Sequence, residues 1–67
     1  MKPLTFIEAE RLVLSRGWFL HHVRGSHHYY RKAGRNEIVV IPRHPGTLSP
    51  GVQRSIMRIA GIRREEL

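Results

Sequence analysis

Between Trp18 and Ile41 the chain offers three extended runs, close enough in sequence that an antiparallel meander is the arrangement they predict. Trp18 to Arg24 holds aromatic, aliphatic and imidazole side chains with neither a helical period nor a break. His27 to Lys32 is the second run, and Glu37 to Ile41, with its Ile-Val-Val-Ile stretch, carries the strongest strand signal in the chain. Gly25-Ser26 turns the chain between the first two runs, and Ala33-Gly34-Arg35-Asn36 makes the loop before the third. The chain has 67 residues, one small domain over 1–67, which buries only about 60% of the surface its unfolded form exposes. Without cysteine, no disulfide or thiolate-bound metal can staple so small a core, so stability rests on packing or on a partner, in a reducing compartment.

Helices are expected on both sides of the meander. Thr5-Phe6-Ile7-Glu8 reads as a capping box, followed by apolar positions Phe6, Ile7, Ala9, Leu12, Val13 and Leu14, a stripe that Glu10 interrupts, and then by Gly17 as a left-handed stop. Pro42-Arg43-His44-Pro45-Gly46 is a loop, because two prolines and a glycine punctuate it. Ser49-Pro50 then reads as an N-cap with proline at the first helical position, opening a helix to about Ala60. Its expected inner side is Val52, Ile56, Met57, Ile59 and Ala60, with Arg54 and Arg58 on the opposite side and Gly61 at the end. Residues 62–67 form a short charged tail.

The order α-β-β-β-α gives an α+β fold with two helices on one face of a three-stranded antiparallel sheet, as in double-stranded RNA-binding domains. The other sheet face and the turn between the first two strands are left for a partner.

The charge says which partner. Twelve Lys and Arg face five acidic residues for a net charge of +7, and ten of the twelve are arginine, whose planar fork takes phosphate oxygens in pairs. A polyanion such as nucleic acid is the expected partner. No apolar stretch approaches the roughly 20 residues that span a bilayer, and no signal-peptide apolar region follows Met1-Lys2-Pro3, so we expect a soluble, cytoplasmic protein without a membrane partner.

The chemistry concentrates in Arg24-Gly25-Ser26-His27-His28-Tyr29-Tyr30-Arg31. An imidazole that titrates near neutrality can take the proton of an RNA 2′-hydroxyl and activate it against the adjacent phosphodiester, and His27 is the expected base. Gly25 lets backbone approach phosphate, Ser26 adds a hydroxyl, and Arg24, Arg31 and Arg43 can neutralise charge on the phosphoryl oxygens. Consecutive strand residues point to opposite faces, so only one of His27 and His28 can meet a substrate, and a turn distortion would exchange their roles. The plain alternative is a surface histidine pair in a hairpin.

Five histidines, His21, His22, His27, His28 and His44, also raise the question of a metal. Aspartate and cysteine are absent and the histidine pairs are adjacent rather than spaced along one face, so metal-free acid–base chemistry with no cofactor is the expectation. Of the aromatic residues, Trp18 is expected mainly in packing and only one of Tyr29 and Tyr30 free to stack on a base. Arg54 and Arg58 fit phosphate binding or a solvated helix face equally well.

Several of these pieces together resemble the HicA-type toxins, also described as YcfA-like, the small ribonuclease half of a toxin–antitoxin pair. The matching pieces are Gly17-Trp18, Gly25-Ser26-His27-His28, Ile41-Pro42-Arg43-His44-Pro45-Gly46, Pro50-Gly51, Arg54-Ser55-Ile56-Met57-Arg58 and Ala60-Gly61, in that order over nearly the whole chain. Each motif alone is weak, while their order and spacing are specific. The resemblance implies a double-stranded-RNA-binding-like fold, cleavage of mRNA without a required metal, a catalytic histidine that maps to His27, and neutralisation by a HicB-type antitoxin covering it. His28 stays a competitor, because some relatives place the key histidine one residue later in the turn. Glu10 and Gln53 depart from the aliphatic residues that relatives often carry, which suggests shifted helix packing or contact with a partner.

The acid that protonates the leaving 5′-oxygen is not fixed by the sequence; His44, Tyr29, an arginine or water could serve. A non-catalytic RNA-binding module using the same arginine face is the rival function.

Overall fold

The computed structural model describes residues 2–67, and its elements follow from local chemistry at their ends. Helix α1 (Phe6–Ser15) starts at Thr5, whose hydroxyl accepts from the Glu8 N–H at 3.2 Å while Glu8 Oε1 accepts from the Thr5 N–H at 3.0 Å. That reciprocal pair satisfies two otherwise orphaned donors. The Thr5 backbone also favours the charged form of Glu8, holding its carboxyl below the usual range. Gly17 at φ 91° carries the chain out of α1.

Strands β1 (Phe19–Arg24), β2 (His27–Arg31) and β3 (Val39–Pro42) form one antiparallel sheet in the order β1-β2-β3, the expected meander. Two strands are shorter at their starts than expected. Trp18 is not in β1, because its N–H closes α1 by donating to the Val13 carbonyl at 3.2 Å and its ring is buried in the core. Glu37 and Ile38 lie outside β3: its pairing with β2 ends at Tyr30 opposite Val39, and Glu37 pairs locally with Arg35 at 2.9 Å.

Helix α2 (Pro50–Ala60) begins at Ser49, whose hydroxyl accepts from the Val52 N–H at 3.4 Å, and ends at Gly61 in the left-handed region. A single 3-10 turn, Arg64–Glu66, brings Leu67 against the core, with Arg16 and Glu66 paired across the molecule.

Both helices cover one face of the sheet and close a single core with Tyr30, Val39 and Ile41. The inward positions are Phe6, Ala9 and Val13 on α1 and Gln53, Ile56, Met57 and Ala60 on α2. Both sets follow the i, i+3, i+4, i+7 spacing of one helix face once Glu10, which reaches Tyr30, is included. Ile56, Met57 and Ala60 lie on the expected inner side of α2, with Ile59 packed partly against it, but its first position is Gln53, only 2% exposed, in place of Val52, which is about one-third exposed. Ile7 and Leu14 of α1 also face outward.

Glu10 and Gln53 both bond within the chain. Glu10 Oε2 accepts from the Tyr30 hydroxyl at 2.5 Å; burial first, and this bond second, push the phenol well above its ordinary pKa. Gln53 Oε1 accepts from the Leu4 N–H at 2.7 Å and its Nε2 donates to the Lys2 carbonyl at 2.6 Å. The amide thus pins the entering segment, which Leu48 also holds by donating its N–H to the Leu4 carbonyl at 2.7 Å. That segment delivers Phe6, and Phe6 decides the fate of one of the two site histidines.

Candidate active site

The site is built on the β1–β2 hairpin. Gly25 takes φ 59° while Ser26 keeps a negative φ, the pattern of a two-residue turn whose first position demands glycine. The turn sets Arg24 directly opposite His27, and β3 sets Pro42 opposite His27 on the other side. His27 therefore stands on the central strand with a neighbour on each side. The Arg43 N–H donates to the Ser26 carbonyl at 2.7 Å, tying the Pro-Arg-His-Pro-Gly loop to the same turn.

Alternation then separates the paired residues. His28 and Tyr30 point toward the helices: the His28 ring meets Phe6 edge-on with centroids 4.8 Å apart, and its Nδ1 is buried with no hydrogen-bond partner among the described residues. His27, Tyr29 and Arg31 take the opposite, open face. His27 is exposed there and lines a shallow cleft of about 290 Å³ with Val40, Pro42, Val52 and Ser55.

Arg24 and Arg31 share the open face with His27, and neither has a carboxylate partner among the described residues. Both cations are left for an anion. Arg43 is placed differently: its guanidinium lies over the Phe6 ring at 5.4 Å, on the helix side. There it borders a separate, larger hollow of about 580 Å³, lined by Thr5, Phe6, Ile7, Arg43, His44, Pro45 and Gly46, which does not include His27.

The structure thus brings together Arg24, Gly25, Ser26 and His27, sets Arg31 on the same face but opposite Phe19 at the far end of the hairpin, and turns the Arg43 side chain elsewhere. His44 also borders the second hollow, with its Nδ1 2.9 Å from the Pro45 carbonyl. Tyr29 lies on the His27 face, stacked on His22 with centroids 4.3 Å apart and planes 7° apart. Tyr30 is fully buried and bound to Glu10, so it cannot reach a substrate.

Ser55 and Val52 had no place in the sequence-based site. They reach the His27 cleft only because α2 packs along β3, a contact between residues too distant in sequence for any local pattern to announce. Among the described residues no three His, Asp or Glu side chains converge as a ligand set, and no helix is long and apolar enough to cross a membrane.

What the arrangement can do is hold an anion beside an accessible imidazole, on a face whose cations are unpaired. Comparison with curated proteins finds no significant match. Comparison with protein families finds one over residues 7–62, described as the HicA toxin of bacterial toxin–antitoxin. That span takes in both helices, all three strands and the histidine turn, and the chain belongs to the HicA toxin family.

Proposed function

We propose that this toxin is a metal-independent endoribonuclease that cleaves mRNA and so inhibits translation, with His27 as its general base. The observation that carries the reading is the split between the two histidines. His27 is exposed at a cleft beside unpaired Arg24, whereas His28 is engaged with Phe6.

In the reaction, the His27 imidazole takes the proton of a ribose 2′-hydroxyl and the 2′-oxygen attacks the adjacent phosphorus. Arg24, opposite His27, holds a non-bridging oxygen as charge grows on it, and Arg31, four residues along the strand, holds a phosphate farther along the RNA. The bond from phosphorus to the 5′-oxygen breaks, and that oxygen takes a proton from an acid on the same face, Tyr29, an arginine or water. The products are a 2′,3′-cyclic phosphate and a 5′-hydroxyl. His44, at the other hollow, is set aside as the acid.

Membership of a toxin–antitoxin family implies an antitoxin partner, and we propose a HicB-type protein that covers His27, acting in the cytoplasm. The test is incubation of purified protein with RNA in excess chelator. Cleavage that yields cyclic phosphate ends, and stops when the nucleotide 5′ to the scissile phosphate is 2′-deoxy, is expected. RNA bound tightly but left intact would overturn the enzyme reading in favour of a non-catalytic RNA-binding module.

A further inference from the structure

We propose that β1 is a docking edge for an extended, acidic segment of a partner polypeptide. All six residues of β1 are exposed, and the strand pairs only with β2, so one row of its backbone donors and acceptors has no strand beside it among the described residues. Folded proteins commonly blunt such an edge with charge, proline or a bulge. This one has a bulge at His21 and a single charge, Arg24, yet it carries three exposed apolar side chains, Phe19, Leu20 and Val23, the last half exposed at 50%.

The two faces of the strand differ in chemistry. Leu20 and Val23 stand opposite Tyr30 and His28, on the helix side, but the helices pack chiefly on β3 and leave these two as an uncovered aliphatic shelf. Phe19, His22 and Arg24 stand opposite Arg31, Tyr29 and His27, on the open face. From Arg11 to Asn36 the chain has no carboxylate.

An added strand would alternate to match: aliphatic side chains on the shelf, carboxylates on the face of His22 and Arg24. A second copy of this chain is disfavoured, since two molecules of charge +7 would set like charges against each other. RNA offers nothing for an aliphatic shelf. The inference rests on the toxin–antitoxin reading for the source of the segment, and it adds a docking mode apart from the cover over His27.

The probe is a cyclised hairpin peptide whose free strand reads Val-Glu-Val-Glu-Val, with a twin carrying Lys for Glu. Amide exchange of the toxin is expected to show protection along Phe19–Arg24 with the acidic peptide. Binding at least about tenfold weaker is expected for the Lys twin and for the Leu20→Lys, Val23→Lys protein, and that protein keeps its RNA cleavage. The twin peptide leaves the toxin unaltered, so it decides the matter even if the double variant fails to fold.

Absence of β1 protection at millimolar peptide would overturn the proposal. So would protection confined to the Phe6–Gly46 hollow, or stronger protection of the same amides by a single-stranded RNA. Because binding is read by exchange alone, a toxin that fails to cut RNA would defeat the nuclease reading and leave this result standing.

Discussion

Replacing Gln53 by leucine tests how the fold holds the segment that delivers Phe6. The leucine fills nearly the same space but offers no acceptor to the buried Leu4 N–H, which the amide now meets at 2.7 Å. A stranded buried donor costs about 1–3 kcal/mol. The Lys2 carbonyl belongs to an exposed residue and exchanges the amide for water, so its loss adds little. Against this, the more apolar side chain gains on the order of 1 kcal/mol, about one buried methylene. The net expectation is a loss of about 1 kcal/mol and at most about 2, which in a domain of this size lowers Tm by roughly 4–8 °C per kcal/mol. Thermal unfolding followed by circular dichroism measures it, and amide exchange at Leu4 and Leu48 should accelerate together. Gln53→Ala should lose more, because it adds a cavity. A Gln53→Leu protein as stable as the parent, with Leu4 still protected, would refute the assignment of Gln53 as the anchor of the N-terminal segment.

Tyr30→Phe removes the hydrogen bond to Glu10 and should lower stability by about 1 kcal/mol, less than a fully buried charged pair because Glu10 keeps access to water. The Tyr30 pKa is raised from 10.0, so its contribution is complete below pH 10 and is lost as pH rises above it; Tyr30→Phe should show a flatter alkaline arm in a stability–pH titration. Glu8 behaves in the opposite sense. Its pKa lies below 4.5, so the capping-box contribution is present above that pH and fades as pH falls through the lowered value, and Glu8→Gln should flatten the acid arm. Gly51 sits in the first turn of α2 with ordinary φ and open space around its Cα, so Gly51→Ala should raise stability by about 0.5–1 kcal/mol in urea unfolding.

The ends of the elements were legible because local chemistry makes them. Thr5 with Glu8, Ser49 with Pro50, and glycines 17, 25 and 61 all act within a few residues of where they stand. The inner faces of the helices were less so, since Glu10 and Gln53 read as interruptions of an apolar stripe although both belong to it. Their polarity is matched by Tyr30 and by the Leu4 and Lys2 backbone, partners 20 to 51 residues away in sequence. Strand starts differ for a local reason: the Trp18 N–H bonds Val13 at the end of α1, and Glu37 pairs with Arg35 in the loop before β3.

At the site, alternation alone divides His27 from His28 but does not say which faces the helices. That was settled by packing, through Phe6 on His28 and Glu10 on Tyr30. The same packing parts the Arg43 and His44 side chains from His27, although the Arg43 N–H bonds the Ser26 carbonyl in the histidine turn. Ser55 entered the cleft from α2 unannounced.

Which histidine does the chemistry is decided by a direct comparison of RNA cleavage by His27→Ala and His28→Ala proteins, each confirmed folded by circular dichroism. The expected result is a loss of roughly hundredfold to ten-thousandfold for His27→Ala, the usual weight of a general base. His28→Ala should keep cleavage within a few fold while losing on the order of 1 kcal/mol of stability as its contact with Phe6 disappears. A folded His28→Ala protein without activity, beside an active His27→Ala protein, would contradict the assignment of His27 as the general base.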